Sequence, residues 1–270
     1  MQRIVVSALV PPTPDARELL ERDGLLLTAP DDLPGLEERL TGPGEHVLLL
    51  GEKRHEPLVR RQAALLADSG RPVAWRVAHH GPAALLLVAQ QVAAAGVDAG
   101  IAVVLADQLL ERTWSGAWTP SVARLEHPEV AVGQHLRSWL PGGDGFVVTF
   151  SGPSPEARNV GRPAAPAEPV LPRGEAYGAG LSRIPAAALQ ELLTTAGSPG
   201  TVELPALALD PRGRVGSADA VELVALPAEQ RIDLPPARGR CVVCDALVFA
   251  DTCPFCHVRP AAVDPRGDLA

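Results

Sequence analysis

The sequence predicts a layered α/β body that carries a small C-terminal zinc ribbon, and three observations predict it. The stretch 71–107, RPVAWRVAHHGPAALLLVAQQVAAAGVDAGIAVVLAD, contains a helix (Ala83 to Ala95) that is apolar on nearly every face. Such a helix must be covered on every face, which places it at the centre of a layered domain. Runs of Ile, Leu and Val without polar alternation recur at Ile4 to Leu9 and at His46 to Leu50, as in strands covered on both sides. Two Cys-x-x-Cys pairs close the chain, in GRCVVCDALVFADTCPFCHVRP.

Composition bounds the rest. A chain of 270 residues with 46% hydrophobic residues can bury a full core. The net charge of -8 argues against a sequence-independent phosphate binder, which needs clustered basic residues, so nucleic acid is not an expected partner. No apolar run reaches membrane-spanning length, and Ile4 to Val10 is too short for a secretion signal. All four cysteines lie in the terminal motif, which leaves none for disulfides elsewhere and fits a reducing, cytoplasmic setting.

In chain order, the first strand is followed by a Pro-rich turn and a short helix with Asp15 as its expected N-cap. Leu25 to Thr28 reads as a strand, Leu33 to Leu40 as a weak helix and His46 to Leu50 as a buried strand. Leu58, Val59, Ala63, Leu65 and Leu66 recur near helical spacing. Between strand and helix stands Glu52-Lys53-Arg54-His55-Glu56, read as a solvated loop with internal charge pairing. Val73 to Ala78 is a strand, and Pro82 suits the first position of the apolar helix, with Gly81 before it and Gly96 as its stop. Ile101 to Ala106 reads as a further strand covered on both sides.

Beyond Asp107 the pattern loosens. Trp114 and Trp118 stand among turn formers, where two close aromatics serve either as a lid over a pocket or as core filling. Leu136 to Leu140 reads as a short helix, and Phe146 to Phe150 as a strand. The segment 151–173, with proline at 153, 155, 163, 166, 169 and 172, reads as an extended linker. Ile184 to Thr195 is helical, and two strands, Val202 to Leu209 and Arg214 to Leu226, flank an Asp210-Pro211-Arg212-Gly213 turn.

The most specific motif is the ribbon. Cys241, Cys244, Cys253 and Cys256 form two tight knuckles, and two knuckles face to face offer four thiolates in a tetrahedron, which suits a structural Zn2+. A two-disulfide staple is the rival reading. His257 comes directly after the last cysteine, but four thiolates already close the site. Loss of the metal is expected to unfold residues 238–260 and leave the α/β body intact.

The corner His79-His80-Gly81-Pro82 is the candidate site. A helix N-terminus aims unpaired amides and partial positive charge at whatever sits there. His79, His80 and Gly81 then line a pocket with Trp114 and Trp118. The plainer reading is a capping corner whose imidazoles bond nearby backbone, and the two stand side by side.

Strand, corner, buried helix, Gly, strand resembles the surroundings of the active-site cysteine in thiolase-fold enzymes, the ketosynthases among them. Laid on the ketosynthase helix, ALLLVAQQVAAAG places the nucleophile position on His79, and PGGDGFVVTF resembles the family's Gly-Asp-Gly turn and strand. The resemblance implies a thiolase-like α/β domain over residues 1–150, to which the residue pattern adds a linker over 151–173, a small α+β segment completing the body over 174–235, a zinc ribbon over 236–262 and a tail over 263–270. No cysteine lies outside the ribbon, so the acyl-accepting thiolate is missing. The resemblance therefore implies a non-catalytic ketosynthase-like subunit of polyketide or fatty-acid type biosynthesis. It would form a homodimer or heterodimer, with a ketosynthase, another acyl-transfer enzyme or an acyl carrier protein as partner. The alternatives are an acyltransferase or hydrolase that uses His79 or His80, and a zinc-ribbon interaction protein unrelated to acyl chemistry.

Overall fold

The computed structural model describes residues 4–22, 24–40, 42, 44–139, 143–152, 155–162, 173–229 and 231–260. The tail 263–270 and most of the second half of the Pro-rich segment lie outside the described residues.

The first layer is a parallel sheet. Strands β1 (Ile4–Leu9), β2 (Leu25–Thr28), β3 (His46–Glu52) and β4 (Val73–Ala78) pair in the order β2-β1-β3-β4. Helices α1 (Pro14–Leu20), α2 (Leu33–Arg39) and α3 (Glu56–Asp68) connect them. Thr13, not Asp15, caps α1, because Pro14 takes the first helical position and the Thr13 hydroxyl accepts from the Ala16 amide at 3.1 Å. Leu36, Val59 and Leu66 from α2 and α3 pack under one face of the sheet. Ala16 and Leu20 from α1 pack on the other face with α4 (Pro82–Ala94).

Helix α4 is buried along almost its whole length, from Pro82 to Ala89 and again at Val92. It lies between β1 and β3 of the first sheet and a strand of a second sheet, so each apolar face meets another apolar surface. The next segment differs from the sequence expectation: Ile101 to Ala106 is no strand but the middle of α5 (Ala99–Arg112). Asp98 caps this helix through a 2.9 Å bond from the Gly100 amide. Ala99, Ala102, Val103, Ala106 and Leu109 then recur at helical spacing on its buried side. A short apolar run cannot by itself distinguish buried strand from buried helix.

The second layer is a six-stranded sheet of order β7-β6-β5-β10-β8-β9. It is built from β5 (Trp114–Thr119), β6 (Phe146–Thr149), β7 (Glu156–Asn159), β8 (Arg173–Gly178), β9 (Thr201–Glu203) and β10 (Val221–Pro227). Short α6 (Val132–Arg137) lies between β5 and β6, and α7 (Ala186–Ala196) covers one face of the sheet. Pairing is antiparallel except between β8 and β9. Two expectations are corrected here. The segment 151–173 holds a strand, because Glu156 to Asn159 lies between its prolines and keeps the amides that pair with β6. The Asp210–Gly213 turn joins no hairpin: Pro205 and Pro211 withhold amides, and the chain forms a short helix, α8 (Arg212–Val215), before β10.

The ribbon, with β11 (Gly239–Arg240) and β12 (Leu247–Val248), is seated on the body. Its Cys241, Cys244, Val248, Cys253 and Phe255 join the same buried cluster as α4 and α5. Asp98 accepts from the Leu247 amide at 3.2 Å, and Phe255 meets His46 of β3 edge-on at 4.7 Å. Gly100 is required at this seam, since a Cβ there would lie 1.8 Å from the Leu247 carbonyl oxygen. Unfolding of 238–260 alone therefore does not fit the packing: the ribbon shares the body's core.

Candidate functional site

The first turn of α4 faces the second sheet and the segment 207–215 across a small cleft, open to solvent. Its lining is largely apolar, with Pro82 on one side and Ala117, Phe150, Leu207, Val215 and Val221 on the other. Three ionisable side chains break the apolar wall: Arg183, Arg214 and Glu222. That composition, an apolar hollow with a few convergent polar groups, is typical of a small-molecule site.

Arg214 is held from several sides. Its Nη1 donates to Glu52 at 2.7 Å, its Nη2 donates to the His79 carbonyl, and its guanidinium lies 4.1 Å over the Phe150 ring. Although the side chain is only 8% exposed, its Nε–H has no acceptor among the described residues. Glu52 is fully buried and also accepts from Arg54 at 3.0 and 3.1 Å, while Arg54 reaches on to the Gly213 carbonyl. One buried carboxylate therefore serves two guanidinium groups, and the more exposed Glu126 lies 4.0 Å from Arg54. The expectation of a merely solvated loop at 52–56 is corrected for Glu52 and Arg54, which knit the first sheet to α8. Lys53 and Glu56 do pair within the run.

Glu222 stands opposite Ala117 in the β10–β5 register and reaches the first turn of α4. It accepts from the Ala83 amide at 3.2 Å, the Ala84 amide at 3.4 Å and the Ser115 hydroxyl at 3.3 Å. These are long bonds, and they compensate poorly for burial. Burial pushes the Glu222 carboxyl up to about 7, against the opposing pull of Arg214. Gly81 makes room for it, because a Cβ at that position would lie 2.2 Å from Glu222 Oε1.

The sequence-predicted residues separate. His80 is buried, its Nε2 lies 3.0 Å from the Thr113 carbonyl, and burial lowers its pKa to about 4, so it is a neutral structural imidazole. His79 is exposed and stacks on His127 with ring centroids 4.1 Å apart. Burial, then Arg214 and Lys53, push it below the ordinary histidine range. Trp114 and Trp118 are core, not lid: β5 turns both toward α7. The Trp114 ring crowds Gly116, 2.5 Å from where a Cβ would stand, and Trp118 Nε1 donates to the Asp144 carbonyl at 2.7 Å. Arg214 and Glu222 were missed. Their signals are a lone Glu inside the apolar run VELVAL and an Arg between two turn-forming glycines.

The four cysteine sulfurs lie within 4.8 Å of one another, with Cys244 and Cys253 3.6 Å apart. Tetrahedral zinc with Zn–S bonds of about 2.3 Å needs sulfurs roughly 3.8 Å apart, so the donor set fits that ion. All four thiols are free, which removes the disulfide reading. Asp245 and His257, each directly after the second cysteine of a pair, adopt left-handed φ of 60° and 57° and close the two knuckles alike.

No protein-family model and no curated protein matches the chain. Solved structures do. A DegV family protein from Corynebacterium glutamicum superposes with a TM-score of 0.53 at 15% identity, over 85% of this chain and 97% of that one. A fatty acid binding DegV family protein from Streptococcus agalactiae gives 0.52 at 9%, over 85% and 99%. A stearic acid-binding protein from Eubacterium ventriosum gives 0.51 at 8%, over 84% and 98%. The fold is DegV-like. The α/β class stands, but the thiolase-like body is corrected: α5 occupies the place of the strand that the thiolase comparison requires. The ketosynthase-like subunit of polyketide or fatty-acid biosynthesis falls with that fold. Among the described residues no helix is long and apolar enough to cross a membrane.

Proposed function

We propose that this chain binds a long-chain carboxylic acid in the cleft between its two sheets, as a carrier or presenting protein and not as an enzyme. The observation that carries this reading is Arg214, a buried guanidinium in an apolar wall whose Nε–H lacks an acceptor among the described residues. A buried donor left unpaired costs about 1–3 kcal/mol, and a ligand carboxylate would relieve that cost. Arg183 at the exposed rim adds a second cation, and Phe150, Leu207, Val215 and Val221 offer the apolar surface that an acyl chain needs. Two of the solved structures that share the fold are described as fatty acid binding proteins, which supports the same ligand class.

The test is calorimetric titration of delipidated protein with dodecanoate. One site per chain is expected. Ala208→Trp, at an exposed position on the cleft rim, should abolish it while leaving the melting temperature unchanged. Absence of binding to the parent protein would refute the reading.

We infer separately that Cys241, Cys244, Cys253 and Cys256 hold one structural Zn2+. Their convergence supports this, and metal analysis of the purified protein tests it.

A further inference from the structure

Resting on the fatty-acid reading, we propose that Glu222 takes up one proton when an acid ligand enters the cleft, so that the site binds the acid anion together with a proton from solvent. Glu222 already occupies the place where a ligand anion would be drawn, the first turn of α4, and lines the same cleft as Arg214. Two carboxylates at close range cannot both stay ionised without strong repulsion. Protonated, Glu222 becomes an O–H donor. The ligand carboxylate then accepts one hydrogen bond from it and one from Arg214 Nε, so that two buried donors find an acceptor together.

The surroundings decide which group takes the proton. Facing Glu222 are Arg214 on α8, already committed to Glu52 on β3, and Ser115 on β5, which donates to it. Arg183 shares the cleft, and His79 and His80 sit at the corner before α4. Glu52 lies between Arg54 and Arg214 and accepts from both, and His80 is neutral. Among the described residues Glu222 has no ion-pair partner of its own; its hydrogen bonds are long, and its pKa is already raised to about 7. The balance is one proton transferred from the buffer acid to a Glu222 carboxylate oxygen, forming an O–H bond there, with the ligand entering as its anion and no other covalent bond changed.

Binding favours the protonated form, so affinity is full below the free-protein pKa and falls about tenfold per pH unit above it. With a free pKa of about 7, a tenth of the sites are protonated near pH 8, and binding should take up about 0.9 proton there against about 0.1 near pH 6. The measurement is titration with dodecanoate in buffers of different ionisation enthalpy at both pH values, repeated on Glu222→Gln. Expected are those two uptakes in the parent protein and none in the variant, whose affinity should be flat with pH. Binding with no proton uptake near pH 8 would overturn the inference and leave the fatty-acid reading standing. Equal uptake by Glu222→Gln would also overturn it, by placing the proton elsewhere. No binding at either pH would overturn both.

Discussion

The ribbon and the cleft lie toward opposite ends of α4, and they were written into the chain in different ways. At one end, four cysteines within a single short segment converge to within 4.8 Å of each other. At the other, Pro82, Ala117, Phe150, Arg183, Arg214 and Glu222 come from six separate stretches of sequence. A metal site of knuckles is local chemistry and can be read from spacing. A cleft between two sheets is a product of topology, and each residue that lines it looks ordinary until the fold brings the others to it.

Breaking each region should therefore have different consequences. Cys253→Ser should have the largest effect. It should release the proposed Zn2+ and, because Cys253 belongs to the core shared with α4 and α5, destabilise the whole chain by several kcal/mol, not melt a detached appendage. Thermal unfolding followed by calorimetry checks this: one shifted transition is expected, and a separate low-temperature ribbon transition would contradict the shared core.

Next in size is Arg214→Leu. Removing one partner of a buried ion pair costs about 3–5 kcal/mol, here softened because Arg54 still pairs with Glu52. Dodecanoate affinity should fall at least about tenfold, since the loss of a charge-assisted hydrogen bond is worth about 1.5 kcal/mol or more. Stability loss with unchanged affinity would make Arg214 a purely structural tie.

The smallest effect belongs to His79, which the thiolase resemblance places at the nucleophile position. His79 is exposed and makes its ring contact with His127 alone among the aromatic pairs described. His79→Ala should change stability by no more than about 0.5 kcal/mol, as for ordinary surface sites, and leave dodecanoate binding intact. A tenfold loss of affinity would return the corner to the centre of the site.

These sizes show what was legible. The strands of the first sheet, the buried α4, its Gly81-Pro82 start and the ribbon knuckles all obey local rules of period, cap and spacing. Ile101 to Ala106 misled because the run is apolar throughout, and the Asp98 cap and the continuation to Arg112 carried the deciding signal. Trp114 and Trp118 misled because β-alternation across a glycine, Trp114-Gly116-Trp118, is easily taken for turn chemistry. Glu52 and Glu222 were present in the sequence as single carboxylates at or inside apolar strands. Their roles depend on Arg214 and Ser115, more than a hundred residues away in each case, a separation that no local pattern encodes.

Where the acyl chain lies decides whether the cleft is the binding site. Labelling with a fatty acid that carries a terminal diazirine, with peptide mapping afterwards, locates it directly. Label is expected on the cleft wall, at Phe150 and within Leu207 to Val221, and should be competed away by dodecanoate. Label concentrated on the exposed apolar stripe Val132, Leu136 and Trp139, or on Val242 and Val243 of the ribbon, would contradict it.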